Sequence, residues 1–224
     1  MASRKRSPPR FHSNPDMSVV SSTVLIRQDS PRYPSSLFKQ LEDSAPAELS
    51  ALGNLDILQQ KTLALFCSVK CPGDLILKTY DLAQQLREAE VTVIGGFHSP
   101  MERECLTILL RGNQHLIVCP ARSLKDMRLP SAYKKPLDQG RLLLLSPFLE
   151  KERRHTVELA SRRNQFVVTL ATAVFVSYAE PAGKTEALCH QVLQWGKPLY
   201  THRSALNPNL ISMGAVPLDS VPDL

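Results

Sequence analysis

The chain contains short, continuous apolar runs that alternate with longer amphipathic segments, and this alternation restricts the folds open to it. Strands that are apolar along their whole length are buried on both faces, as in a parallel sheet covered by helices on each side. The pattern therefore predicts an α/β fold, namely a Rossmann-like three-layer sandwich with a mostly parallel sheet and helices on both faces. The predicted strands lie within residues 62–69, 91–94, 116–119, 142–145, 173–178 and 198–201. The predicted helices lie within residues 72–89, 100–110, 154–170 and 185–195.

The residues that precede the first of these strands divide into two segments. Residues 1–30 are rich in Ser, Pro and Arg and lack apolar periodicity, which predicts a flexible basic N-terminal arm outside the fold. Residues 31–60 carry spaced leucines after a Pro-Arg-Tyr-Pro sequence, which predicts a short helix within an N-terminal extension that packs on the core. Residues 61–224 are then expected to form the Rossmann-like domain together with a C-terminal extension.

The composition excludes several classes of protein. Hydrophobic residues make up 43% of the 224 residues and charged residues 21%, close to the averages of globular proteins. No apolar run approaches the roughly 18 residues that a membrane span requires, and no apolar block follows the basic residues at the N-terminus. We therefore expect a cytoplasmic protein that makes no membrane contact.

The five cysteines do not show the paired spacing that is typical of a metal site. Cys67 and Cys71 are separated by three residues, yet no second pair of Cys or His residues is available to complete a zinc site. Cys67 and Cys119 each end an apolar run, where a cysteine usually behaves as a small buried hydrophobe. The sequence accordingly predicts reduced thiols, no bound metal and no cofactor.

The positive charge of the chain is concentrated in one segment. The formal net charge is +6, and residues 122–163 hold eleven basic side chains against five acidic ones. Such a concentration favours a polyanionic partner, either nucleic acid or nucleotide phosphate. The alternative is that these side chains scatter over a solvated surface once the chain has folded.

Ligands of open parallel sheets bind beyond the carboxyl ends of the strands, so the loops that follow the predicted strands are the places to search for a site. Gly95 and Gly96 follow a predicted strand and allow a sharp turn close to a ligand. Ser99 and Glu102 have the spacing of a capping box at the start of the next helix, which by itself explains Ser99. A plain connecting turn is an equally good explanation of the loop. His98 has no obvious acidic partner, so we do not predict a catalytic base there.

Gly183-Lys184-Thr185 resembles the end of a phosphate-binding P-loop, but Tyr178 stands where that motif needs its first glycine. An ATPase is therefore disfavoured, although Lys184 and a helix N-terminus are suited to hold a single phosphate. The alternative is a helix start without a ligand.

Arg163, Asn164 and Gln165 combine a guanidinium with two amides, groups that can contact phosphates and base edges. A solvated helix face would explain them equally well. Aromatic residues make up only 6% of the chain and form no regular stacking platform, so contacts to a single strand would rely on phosphates.

Together, these features resemble the DprA/Smf family of DNA-processing proteins over about residues 32–202. The motifs that carry the resemblance are Tyr33-Pro34, Leu37, Pro46, Leu49, Gly53-Asn54, Ser68-Val69-Lys70, Gly95-Gly96-Phe97-His98-Ser99, Arg163-Asn164-Gln165 and Gly183-Lys184-Thr185. The resemblance implies a DprA-type Rossmann domain that binds single-stranded DNA, acts in DNA uptake or recombination during natural transformation, and helps to load a RecA-type recombinase. A homodimer is a further expectation from the family.

Two of the chain's departures from the family pattern affect its positively charged residues. Ser68-Val69-Lys70 stands where the family usually has Gly-Ser-Arg, and Gln165 replaces the second arginine of Arg-Asn-Arg. The resemblance and the basic residues together predict a DNA- or phosphate-binding site without catalytic residues. Its expected members are Lys70, Gly95, Gly96, Phe97, His98, Ser99, Arg122, Arg163, Asn164, Gln165, Gly183, Lys184 and Thr185. Four cations are expected to converge on one cleft, namely Lys70, Arg122, Arg163 and Lys184.

A second function remains open at this stage. The same superfamily includes LOG-type nucleotide phosphoribohydrolases and sensors of nucleotide-derived ligands, and residues 181–186 partly resemble the LOG loop. The glycines and the glutamate of that loop are not at the required spacing. A nucleotide ligand is therefore the alternative partner, and enzymatic activity the less favoured expectation.

Overall fold

The computed structural model describes residues 23–218 and residue 221 of the chain. Within that part, nine strands form one sheet in the order β1-β2-β6-β5-β4-β3-β7-β8-β9. The strands are β1 (Val24–Arg27), β2 (Glu48–Gly53), β3 (Leu63–Phe66), β4 (Val93–Gly95), β5 (Leu116–Val118), β6 (Leu142–Ser146), β7 (Ala173–Val176), β8 (Leu199–Thr201) and β9 (Val216–Pro217). The α-helices are α1 (Ser35–Leu41), α2 (Gly73–Glu88), α3 (Pro100–Leu109), α4 (Lys134–Asp138), α5 (Val157–Leu170), α6 (Lys184–Gln194) and α7 (Pro208–Met213).

Most of the sheet is parallel, as the sequence predicts. All strand pairs from β6 across to β9 are parallel, whereas β1 with β2 and β2 with β6 are antiparallel. The strands that follow β3 are added on one side up to β6, and the chain then returns to place β7 on the other side of β3. Such a change of direction opens a crevice at the carboxyl edge of a parallel sheet, where the loops diverge.

Both faces of the sheet are buried, which explains the continuous apolar runs. In β3, Leu63 and Leu65 face one hydrophobic core, while Ala64 and Phe66 face the other. Residues of α2 and α3 pack into the first core, and residues of α1, α5, α6 and α7 pack into the second. The three-layer sandwich with helices on both faces is thereby confirmed.

The N-terminal part of the fold differs from the prediction. Residues 24–27 were expected to belong to a flexible arm, but they form β1, which pairs with β2 and buries Ile26 to 2% exposure. The prediction was wrong there because one buried side chain in a four-residue edge strand leaves almost no apolar periodicity. Residues 1–22 of the predicted arm lie outside the described residues.

Residues 31–60 contain a strand of the sheet in addition to the predicted short helix. Helix α1 is present and packs against α5, but β2 follows it and pairs with β6 inside the sheet. Leu49 and Ala51 are buried while Ser50 and Leu52 are only partly so, which is the alternation of a half-exposed antiparallel strand. Leucine spacing alone did not separate this strand from a helix.

The remaining predicted elements are present, with ends that differ by a few residues, and α7 and β9 extend the fold beyond them. No helix in residues 23–218 combines the length and the hydropathy that crossing a bilayer requires.

Lys197 closes the C-terminal end of α5. Its Nζ atom donates hydrogen bonds to the carbonyl oxygens of Val168, Thr169 and Ala171 at 2.7, 2.8 and 2.6 Å. The carbonyls of Val168 and Thr169 belong to the last turn of α5, where no intrahelical donor is available, and that of Ala171 directly follows the helix. Burial lowers the pKa of Lys197 to about 8, and the three acceptors together with the negative end of the helix dipole favour the ammonium form.

We expect Lys197→Met to lower the free energy of unfolding by about 2 kcal/mol, because three carbonyl groups lose a charged donor. Urea denaturation followed by circular dichroism measures this change. Lys61→Met is the matched control, since Lys61 is exposed and its replacement should change stability by less than about 0.5 kcal/mol. Equal effects of the two substitutions would contradict the capping role.

Candidate functional site

A groove opens at the carboxyl edge of the sheet, between α5 and α6. Its cavity volume is about 630 Å³. Apolar side chains form part of its wall, among them Val157, Ala160 and Leu188. Its polar side chains come from the β4–α3 loop and from the two helices, and they are His98, His155, Thr156, Ser161, Asn164, Gln165, Lys184 and Gln191. We call this cavity the α5–α6 groove.

Two histidines stand side by side in this groove. The rings of His98 and His155 are stacked with centroids 6.1 Å apart. Burial lowers the pKa of His155, and the positive charges of His98, Arg122 and Arg163 lower it further. His155 therefore lies in a positive field, which favours a bound anion.

The N-terminus of α6 adds to the positive character of the groove. Helix α6 starts at Lys184, and no side chain caps its first turn. A Cβ atom on Gly183 would lie 2.7 Å from the carbonyl oxygen of Glu180, so the turn into α6 requires glycine at this position. The backbone N–H groups of the first turn and the Lys184 ammonium together form a site suited to a phosphate group.

The side chain of Arg163 packs against Gly96, in the loop that follows β4. Its side chain is only 3% exposed, and its guanidinium donates to the carbonyl oxygen of Cys119 at 3.1 Å and to Oδ1 of Asn164 at 2.7 Å. A Cβ atom on Gly96 would lie 1.4 Å from Nη1 of Arg163, so the guanidinium occupies the space left by the glycine. We therefore assign Arg163 a structural role and do not include it among the phosphate contacts.

Glu102, in the first turn of α3, holds the same loop in place. Its carboxylate accepts hydrogen bonds from the backbone N–H groups of Cys67, His98 and Ser99 at 3.0, 2.8 and 3.2 Å. Ser99 Oγ in turn accepts from the N–H of Glu102, so the predicted capping box is present. The carboxylate ties the end of β3 to the loop that presents His98.

Three further predicted members are buried supports of this loop. Gly95 ends β4, Ser99 is 4% exposed, and Phe97 is 5% exposed with its ring against Gly95. Phe97 also adopts a φ of +46°, a backbone conformation that costs a residue with a side chain about 1 kcal/mol or more. Burial of its ring holds Phe97 in this conformation, together with the hydrogen bonds that His98 and Ser99 donate to Glu102. None of the three is exposed to stack on or contact a ligand directly.

Lys70 lies in a different cavity. It lines a space of about 580 Å³ between α2 and α3, together with Val69, Cys71, Tyr80 and Arg103. We call this second space the α2–α3 cavity. Its helices cover the face of the sheet opposite to α5 and α6, and Pro100 and Met101 at the start of α3 form part of its wall.

Arg122 lies in the loop after β5 and lines neither cavity. Its Nε donates to the carbonyl oxygen of Ser123 at 3.3 Å, and its charge acts on His155. The four cations therefore do not line one cleft as expected from the sequence. Arg122, Arg163 and Lys184 belong to the side of the α5–α6 groove, and Lys70 belongs to the other cavity.

The sequence did not single out four polar residues of the groove, namely His155, Thr156, Ser161 and Gln191. Ser161 lies three and four positions before Asn164 and Gln165, so helical spacing could have placed it on the same face. Gln191 lies seven positions after Lys184, which is the same signal on α6. His155 precedes the helix cap Thr156, and no periodicity marks it. Among the described residues, no group of His, Cys, Asp and Glu side chains is arranged to hold a metal ion.

A comparison with protein families shows which family has this sequence pattern. The sequence model described as "DNA recombination-mediator protein A" matches residues 24–221. The chain belongs to this family. The match covers the described fold almost entirely and confirms the resemblance to DprA/Smf proteins. A search of curated protein sequences finds no match.

Solved structures agree with the family. DNA processing protein A (DprA) from Streptococcus pneumoniae superposes with a TM-score of 0.74 at 22% identity, covering 90% of this chain and 72% of that chain. DprA from Helicobacter pylori, described for its unique single-stranded DNA binding mode, gives 0.71 at 20% identity, covering 91% and 93%. A molybdenum cofactor binding protein from Rippkaea orientalis gives 0.51 at 12% identity, covering 73% and 91%. At these identities the likeness shows a shared fold. The family assignment favours a role in DNA processing over the nucleotide-hydrolase alternative.

In this DprA-family chain, we expect Gly96→Ala to lower the free energy of unfolding by about 1–3 kcal/mol, because the new methyl group collides with the buried guanidinium of Arg163. Thermal and urea unfolding measure the change. Gly73→Ala is the matched control, since a Cβ atom there meets nothing within 4 Å.

A double-mutant cycle tests the cause. Combined with Arg163→Ala, Gly96→Ala should cost at least about 1 kcal/mol less than it does alone, since the colliding group is gone. Strict additivity of the two substitutions would show that the clash with Arg163 is not responsible.

Proposed function

We propose that this DprA-family chain binds single-stranded DNA at the carboxyl edge of its sheet, with the α5–α6 groove holding phosphate groups. The observation that carries the proposal is the convergence, in one groove, of the uncapped N-terminus of α6, Lys184 and the histidine pair. Family membership supports a nucleic-acid ligand over a free anion. The single-stranded DNA binding described for the Helicobacter pylori protein supports the choice of DNA strand type.

The groove offers phosphate contacts and polar contacts rather than stacking. Lys184 and the first N–H groups of α6 are the proposed phosphate ligands, and the imidazoles of His98 and His155 supply further polar contacts beside them. Ser161, Asn164, Gln165 and Gln191 supply hydrogen bonds to sugars or base edges. Phe97, the aromatic residue of the β4–α3 loop, is buried, so base stacking on it is not part of the proposal. Binding that rests on phosphates shows little preference for sequence.

The α2–α3 cavity is the proposed second part of the interface. It carries Lys70 and Arg103, and both cavities border the segment between β4 and α3, since His98 lines the α5–α6 groove while Pro100 and Met101 line this cavity. A strand that crosses this loop at His98 would reach cations on both sides. This path keeps Lys70 and Lys184 in the binding site although they do not share a cleft.

Three finer expectations from the family belong to the same proposal. We propose that the chain acts in the cytoplasm, that it hands its DNA to a RecA-type recombinase, and that it forms a homodimer. Membership of a recombination-mediator family supports the first two, and light scattering of the purified protein tests the third. No specific feature of the groove favours hydrolysis of a nucleotide.

Lys184→Glu should weaken binding of a labelled oligo(dT) by roughly tenfold or more at low salt and should make the salt dependence shallower. The reason is that a lost phosphate contact releases fewer counterions, about 0.7 unit of the log–log slope for a single strand. Fluorescence anisotropy over a series of salt concentrations measures both quantities.

Lys61→Glu is the charge-matched control, because Lys61 is exposed and lies before β3, at the opposite edge of the sheet. Equal loss in both variants would indicate a general charge effect and would reject the groove. An added mononucleotide serves as competitor. Thermal stabilisation by the nucleotide with no oligonucleotide binding would support the ligand-sensor alternative instead.

Binding should strengthen as the pH falls from 7.5 to 5.5 at constant ionic strength. Burial and neighbouring cations lower the pKa of His155, so its ring is neutral at pH 7 and gains a positive charge only at lower pH. A bound phosphate favours the protonated ring, so DNA binding is coupled to proton uptake. Anisotropy titrations at each pH measure the effect.

His155→Gln should reduce this pH dependence, while His115→Gln should leave it unchanged. His115 precedes β5 at the opposite edge of the sheet and so serves as the control. A pH dependence that is the same in both variants would rule out a role for His155.

A further inference from the structure

The loop between β3 and α2 carries two cysteines with interacting thiols. Cys67 is 5% exposed, whereas Cys71 is partly exposed and lines the α2–α3 cavity. The two thiols are near enough for each to shift the pKa of the other, and Cys71 Sγ lies 4.0 Å from Ser177 Oγ. An accessible thiol therefore stands directly beside a buried one.

The surroundings of Cys71 favour its thiolate. Hydrogen bonds from Cys67 and, to a smaller extent, Ser177 outweigh burial and lower the pKa of Cys71 to about 7. The same hydrogen bond and burial raise the pKa of Cys67. Helix α2 begins at Gly73 without a side-chain cap, so its positive end lies close to Cys71. The thiolate is the form of cysteine that reacts with oxidants and electrophiles.

The other three cysteines of the chain do not share these properties. Cys105, Cys119 and Cys189 are 0% exposed, and burial raises the pKa of each to about 12. Oxidants that act from solvent thus meet one accessible thiol among five, all of which lie in the described part of the chain. An accessible thiolate beside a second thiol is the arrangement found in redox-sensitive proteins.

We propose that Cys71 is a peroxide-sensitive modification site that forms an intramolecular disulfide with Cys67. In the first step the Cys71 thiolate attacks an oxygen of hydrogen peroxide, the O–O bond breaks, and Cys71 becomes a sulfenic acid while hydroxide leaves. In the second step the sulfur of Cys67 attacks the sulfenic sulfur, and the hydroxyl group leaves as water with the proton of Cys67. Two thiols are oxidised by two electrons, and the peroxide is reduced to water and hydroxide, which takes up a solvent proton.

The first step prepares the second electrostatically. The negative charge of Cys71 is one of the causes that raise the pKa of Cys67. That charge is absent from the sulfenic acid, so Cys67 loses its proton more readily once Cys71 is oxidised. The disulfide would close a ring that contains Ser68, Val69 and Lys70. Ser68 is anchored by bonds to Tyr178 and Glu180 of the loop after β7, so the ring stays attached to the sheet.

Intact-protein mass spectrometry tests the proposal on the full chain. The native protein is treated with hydrogen peroxide, then unfolded and labelled with N-ethylmaleimide. Five labels are expected before oxidation and three after it, with a loss of about two mass units for the disulfide. Peptide mapping should place the bond between Cys67 and Cys71. Iodoacetamide without oxidant should modify Cys71 roughly tenfold faster than any other cysteine.

Two variants separate the steps. Cys67→Ala should allow a sulfenic acid at Cys71 that dimedone captures, and Cys71→Ser should retain four labels after peroxide. Cys189→Ser is the control and should still form the disulfide, leaving two labels. Five labels after peroxide in the wild type, a bond mapped elsewhere, or a bond that forms only in unfolded protein would overturn the proposal. No DNA is present in these measurements, so their outcome is independent of the proposed DNA binding.

Discussion

The site depends on two buried charged side chains at the strand ends, Glu102 and Arg163. Glu102 accepts hydrogen bonds from the backbone at Cys67, His98 and Ser99, and Arg163 donates to the backbone at Cys119. These bonds join the ends of β3, β4 and β5 to α3 and α5, and the negative charge of Glu102 in turn stabilises the charged form of Arg163. Burying two charges is costly unless their hydrogen bonds are satisfied, and here the backbone of three strand ends satisfies them.

This use of charge has a consequence for ligand binding. Arg163 is buried and donates its hydrogen bonds to other groups of the protein. The positive surface of the groove must therefore come from groups that line the groove itself. At neutral pH those groups are Lys184 and the first turn of α6. The strained backbone of Phe97 has a related effect. It belongs to a loop that Glu102 holds rigid, and a rigid loop keeps His98 at a fixed position.

The fold could be predicted from the sequence where burial on two faces left continuous apolar runs, as in Leu142–Ser146. It could not where one face is exposed, as in β2, because Ser50 and Leu52 interrupt the pattern of Leu49 and Ala51. The loops at the carboxyl edge of the sheet could also be located, because each directly follows one of these apolar runs. The burial of Arg163 was not, because nothing in the sequence shows that the missing side chain of Gly96 makes room for a guanidinium from a distant helix.

Two cavities border the segment between β4 and α3, one between helices on each face of the sheet, and each offers only a few charges. A ligand long enough to occupy both cavities would lose its translational and rotational entropy only once. Its second half would then bind at a high effective concentration. A short fragment gains nothing from this linkage. For a strand bound in both cavities as proposed, the length of the polymer becomes a recognition feature in itself, set by the distance between the two cavities rather than by the chemistry of either.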